Sequence, residues 1–211
     1  MTSVPGLVLS IILVVGFTFS FSLLSKFVPE TVQHPAFFRM LIWTPMMFVI
    51  HVLQSWFIGG KSGLSVYNLT LHSRKSLVPI IVVVGLAVLA FIFPSPKHDQ
   101  MDMLSIIGVG VVGEEVLFRG IVWDLIKRWS DKTCFLRLSG TVWFAALAFG
   151  VTHLQYHHFQ LQVAAVIQMS YSFFVGLGLG WVRHRTKSIL WPMVAHSGFN
   201  SLFNLVLIAI R

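Results

Sequence analysis

The sequence predicts an all-α protein, a polytopic integral membrane helical bundle with about seven transmembrane helices. Three observations carry that expectation. Of 211 residues, 56% are hydrophobic and only 10% are charged, whereas a soluble domain is about a quarter charged because a water-facing surface needs charge. Mean hydropathy is +0.83, and about seven apolar segments approach the length that crosses a bilayer. Lys and Arg are also spread unevenly among the loops, as they are in membrane proteins. The composition excludes a disordered chain, which needs low hydrophobicity, and weighs against an ordinary soluble enzyme.

The segments cover roughly residues 4–24, 40–57, 77–93, 103–126, 138–154, 161–182 and 189–210. The first reads as a retained helix, because Met1 to Ser10 holds no Lys or Arg and no small-residue cleavage site follows. Gly59-Gly60 punctuates the chain after the second, and Pro94-Ser95-Pro96 after the third. The fourth is unusual, since it contains Glu114, Glu115, Arg119 and Asp124. The fifth carries His153 near its end, with His157 and His158 in an interfacial loop beyond it. The sixth runs into a basic cluster from Arg183 to Lys187, and the seventh holds His196 and Asn200. The single cysteine, Cys134, excludes an intrachain disulfide and a CxxC site. The chain divides into residues 1–100, helices without a recognised motif, and residues 101–211, which carry the chemistry.

Charge tests this layout independently. Ten of the fifteen Lys and Arg fall on the N-terminal side of the membrane: Lys61, Arg74, Lys75, Lys127, Arg128, Lys132, Arg137, Arg183, Arg185 and Lys187. Lys26, Arg39, Lys97 and Arg211 fall on the other side, and Arg119 lies within a span. The positive-inside rule then makes the N-terminus cytoplasmic and the C-terminus external. The net charge of +8 therefore describes orientation. It does not point to nucleic acid, because no basic stripe with interleaved aromatics is present. Asn68-Leu69-Thr70, a glycosylation sequon, falls on the cytoplasmic side and carries no weight.

One motif misleads. Gly108-x-Gly110-x-x-Gly113 matches a dinucleotide-binding fingerprint, with Asp131 downstream. That fingerprint needs a strand–turn–helix in a parallel sheet. Here the glycines lie inside an apolar segment of helical length, where they permit close helix packing. Gly176, Gly178 and Gly180 receive the same reading.

The informative residues are polar ones in apolar surroundings. A charge deep in a bilayer costs a few kcal/mol, so such residues face a protein interior or wet cavity and find partners. On an α-helix Glu115 and Arg119 are i and i+4 and can pair. Glu114 points about 100° away and is left without that partner, which suits a proton-accepting base. His153 follows Phe149 at i+4, and His196 and Asn200 share one face of the last span. Ser197 lies about 100° round that helix from His196, so a Ser–His nucleophile is weak. If the three groups converge, they supply a base, a water-orienting imidazole and two hydrogen-bond donors for an oxyanion. Counting 1.5 Å per residue from the cytoplasmic side puts His196 about 10 Å deep, Glu114 about 20 Å and His153 about 24 Å, so spacing alone does not bring them together.

The ordered set Glu114-Glu115-x-x-x-Arg119, Phe149-x-x-x-His153 and His196-x-x-x-Asn200 resembles the signature of the CPBP intramembrane proteases, which include the CAAX prenyl endopeptidases. The resemblance covers roughly residues 101–205. It implies an endopeptidase in which Glu114 activates water, His153 binds and orients it, and His196 and Asn200 form the oxyanion hole. Glu115, Arg119 and Phe149 would support the site. It implies a membrane-anchored protein or peptide substrate reached from membrane lipid. No cofactor is expected; a zinc site of Glu114, His153 and His196 is the less favoured version, and no HExxH occurs. The expected setting is a prokaryotic inner or plasma membrane. The same polar cluster is also compatible with a non-catalytic immunity or scaffold protein, or with a proton-coupled transporter.

Overall fold

The computed structural model describes residues 12, 15–16, 35–57, 77–93, 100–130, 133–157 and 159–210. The expected first span, apart from Ile12, Val15 and Gly16, lies outside the described residues. So do Gly59-Gly60, the sequon, Pro94-Ser95-Pro96, Lys26, Lys61, Arg74, Lys75, Lys97, Asp131, Lys132, His158 and Arg211.

The described chain is helical almost throughout. Helix α1 is Pro35–Phe57, α2 is Leu77–Ile92, α3 is Gln100–Leu104, α4 is Gly110–Glu115, α5 is Trp123–Ser130, α6 is Gly140–Thr152, α7 is Val163–Thr186 and α8 is Leu190–Ala209. Two π-helical segments, Ser105–Val109 and Val116–Val122, interrupt the fourth expected span, and a 3-10 turn, His153–His157, extends the fifth. The edges of the described helical stretches fall within about five residues of the expected ones. A two-stranded antiparallel hairpin, β1 (Thr133–Phe135) and β2 (Leu138–Ser139), was not expected. Its two turn residues, Leu136 and Arg137, both have positive φ, 51° and 61°, the conformation that joins strands through a two-residue loop.

Three helical stretches are long and apolar enough to cross a membrane: Phe37–Gln54, Val163–Thr186 and Leu190–Ala209. Only 22%, 28% and 33% of their spanning windows is buried within the protein. The outward faces carry Phe38, Ile42, Val49, Ile167, Phe174 and Phe203. Water would not tolerate apolar surface on that scale, and a lipid phase would. The α2 stretch Ile81–Ile92 is apolar but shorter. Membrane residence thus stands, while a count of seven spans is not reached among the described residues.

The described chain forms two compact units, divided between Glu115 and Val116 and again between Lys187 and Ser188. In unit II, the described residues of Val28–Glu115 and Ser188–Arg211, α2 packs along α8. There α1 lies against α4 and the segment Ser105–Val109, which α8 also touches. Gly113 permits this approach, since a Cβ there would sit 2.5 Å from the Trp43 ring and 2.6 Å from Thr44 Oγ1. In unit I, the described residues of Val116–Lys187, α6 and α7 pair closely. Gly176 abuts Ala146 and Gly180 abuts Val142, as a small-xxx-small pair should. Trp123, Val142 and Ala145 form a buried cluster against which Leu138 and Leu177 pack.

Candidate active site

Unit II holds Glu114, Glu115, His196 and Asn200. The two carboxylates end α4, and the imidazole of α8 lies between them. His196 Nδ1 is 2.8 Å from Glu115 Oε1, and its Nε2 is 3.8 Å from Glu114 Oε2. Glu114, expected to stand without a cationic partner, therefore has an imidazole nearby. The depth count had separated these residues by about 10 Å because it treated both helices as upright and regular. The segment bearing Glu114 is not regular, being π-helical on both sides of α4.

Exposure separates the carboxylates. The Glu115 side chain is wholly buried, whereas Glu114 keeps 18% of its surface accessible. Glu115 is thus a buried acceptor for the imidazole N–H, and Glu114 can meet a water molecule or a substrate. Sequence spacing alone distinguished them only through an assumed pairing of Glu115 with Arg119.

Asn200 donates from Nδ2 to the carbonyl of Ile106 at 2.8 Å. A carboxamide N–H₂ has two donors, so this bond leaves a second hydrogen for another acceptor. Ser197 donates to the Ile107 carbonyl at 2.6 Å, and Thr44 to that of Val109 at 2.8 Å. All three carbonyls belong to the π segment Ser105–Val109. Inside a bilayer, irregular backbone survives when hydroxyls and neighbouring helices satisfy it.

Unit I holds Arg119, Phe149 and His153. Between Glu115 and Arg119, which their spacing allows to pair, the backbone is π-helical over Val116–Val122. Buried Arg119 donates from Nη2 to the Gly176 carbonyl at 3.1 Å and lies over the Phe149 ring at 4.7 Å. Phe149 in turn packs edge-on against His153, with ring centroids 4.7 Å apart. His153 Nδ1 is 2.7 Å from the Phe149 carbonyl. A carbonyl only accepts, so Nδ1 carries the hydrogen and neutral His153 presents Nε2 as an acceptor. The FxxxH spacing thereby acquires a physical reason: one residue supplies both the ring that packs the imidazole and the carbonyl that selects its tautomer.

The ordered triple motif is carried by helical segments in membrane-type surroundings, and a family model described as type II CAAX prenyl endopeptidase, Rce1-like, matches residues 97–202. The chain belongs to this Rce1-like family. The family is one of CAAX-type intramembrane proteases, which agrees with the resemblance drawn from the motifs. No curated protein and no solved structure matches the chain.

The Rce1-like segment contains further residues whose part sequence reading missed. Arg183 looked like a loop cation but is buried in α7, where it donates from Nε to the Arg119 carbonyl at 3.2 Å and lies over Trp123 at 5.6 Å. Ser197, a weak nucleophile by its spacing from His196, and Thr44, which precedes the Rce1-like match, are the others. The available signal was a hydroxyl in each of two apolar helices, which implies a backbone carbonyl as partner. Among the described residues, no group of three His, Cys, Asp or Glu is placed to hold a metal ion.

Proposed function

We propose that this chain is an intramembrane endopeptidase that hydrolyses a peptide bond of a membrane-anchored protein or peptide, with Glu114 as the base. The arrangement that supports this reading is a partly exposed carboxylate beside an imidazole whose other nitrogen is bonded to a buried carboxylate. In the proposed reaction, Glu114 takes a proton from water and the water oxygen bonds to the substrate carbonyl carbon. The carbonyl π electrons move to oxygen, giving an oxyanion that Asn200 and, in its doubly protonated form, His196 stabilise by donating hydrogen bonds. Glu114 then returns its proton to the amide nitrogen as the C–N bond breaks, leaving an acid and an amine. His153, through its acceptor Nε2, orients the water. Glu115 and Arg119 brace the machinery, and Phe149 sets the His153 tautomer.

The reaction uses no metal in this reading, and the N-terminus faces the cytoplasm of a prokaryotic cell. The purified protein, reconstituted with a cleavable membrane-anchored peptide, tests it. Glu114→Gln and Glu114→Ala should each abolish cleavage while leaving protein levels unchanged. Full cleavage by both would overturn the assignment. Loss of activity on chelation, with recovery on adding zinc, would replace metal-free catalysis with a zinc-dependent version.

A further inference from the structure

We propose that Thr44 and Ser197 are positioning residues: by clamping the π turn at Ser105–Val109 they set which face of α4 presents Glu114 and Glu115 to His196. The proposal rests on the reading of Glu114 as the base.

The turn closes with the Gly110 N–H bonded to the Ser105 carbonyl, an i to i+5 step. Gly110 makes that possible, since a Cβ there would lie 2.6 Å from the same carbonyl oxygen. One extra residue in a helical turn rotates everything after it by about 100° relative to a continuous α-helix. Glu114 and Glu115 follow within a turn and a half. Without the π turn, a different side chain of α4 would face His196.

The turn is held from two directions. Thr44 of α1 bonds the Val109 carbonyl, and Ser197 and Asn200 of α8 bond those of Ile107 and Ile106. Ser197 adjoins His196 in sequence, so the helix that supplies the imidazole also grips the turn that aims the carboxylates. Asn200 contributes too, but it is already placed in the oxyanion hole, so the hydroxyls give the cleaner test. Neither hydroxyl contacts substrate in this scheme. Each acts through the register of the helix.

Thr44→Val and Ser197→Ala, singly and together, are assayed in proteoliposomes against the membrane-anchored peptide, beside Glu114→Gln. The double variant should lose about tenfold to a hundredfold in kcat, the range that small misplacement of a catalytic group produces. Its KM should stay within about twofold, since substrate binding is not removed. Thr44→Ser and Ser197→Thr keep the hydroxyl and should retain the parent kcat. If Glu114→Gln is inactive but the double variant keeps the parent kcat, the clamp is wrong. Hydroxyl-retaining variants as slow as the hydroxyl-free ones would overturn it equally. Full cleavage by Glu114→Gln would instead sink the base assignment, a separately readable failure. Should the double variant not fold, Thr44→Val against Thr44→Ser decides in the same way.

Discussion

His196 hydrogen-bonds Glu115 at 2.8 Å through Nδ1, at a site where the Glu115 side chain has no exposed surface. Replacing this buried carboxylate by a carboxamide weakens a charge-assisted hydrogen bond and adds a buried N–H₂ that needs its own acceptors. The two neighbouring carboxylates should therefore fail in different ways. Glu115→Gln is expected to destabilise the protein by about 1–3 kcal/mol, seen as a lower unfolding midpoint in detergent. Glu114→Gln should leave that midpoint nearly unchanged and abolish cleavage. The reverse pattern would exchange their roles.

His153 offers a tautomer test. Asn at this position can place its N–H₂ near the Nδ1 site and keep the bond to the Phe149 carbonyl, but it has nothing where Nε2 stood. Normal accumulation and thermal stability with kcat reduced by at least about a hundredfold is expected of His153→Asn, as for loss of an acid–base group. Retained turnover would show that Nε2 takes no part in the chemistry.

Arg119 should not tolerate Lys. Its guanidinium donates to the Gly176 carbonyl while lying over the Phe149 face, and a compact ammonium cannot reproduce that planar geometry. Arg119→Lys is expected to cost roughly 1–3 kcal/mol, read from the same detergent unfolding. A midpoint equal to the parent's would show that charge alone suffices there.

The glycines of α7 should separate cleanly. A Cβ at Gly176 would sit 3.0 Å from Ala146 Cα and 3.2 Å from the Phe149 ring, while one at Gly178 meets nothing within 4 Å. Gly176→Ala should lose about 1–3 kcal/mol through overpacking against backbone, whereas Gly178→Ala should be stabilising by up to about 1 kcal/mol through helix propensity. Equal effects would mean that α6 and α7 do not depend on this close approach.

Membrane residence, the helical class, the approximate ends of the described helices and the motif residues were legible without coordinates. Hydropathy and helical periodicity are local properties, and a charged pair in an apolar run announces itself wherever it occurs. The depth count, also local, kept His196 and Glu114 apart. What places His196 against the carboxylates depends on partners far along the chain: Thr44, Ser197 and Asn200 lie 65, 90 and 94 residues from the carbonyls they bond. No periodicity spans such intervals. A π turn differs from an α turn by one residue, and whether it forms depends on the side chains of neighbouring helices that satisfy its carbonyls. In the linear chain Glu114 and Glu115 differ only in their spacing from Arg119. Only packing buries one completely against an imidazole and leaves the other partly accessible.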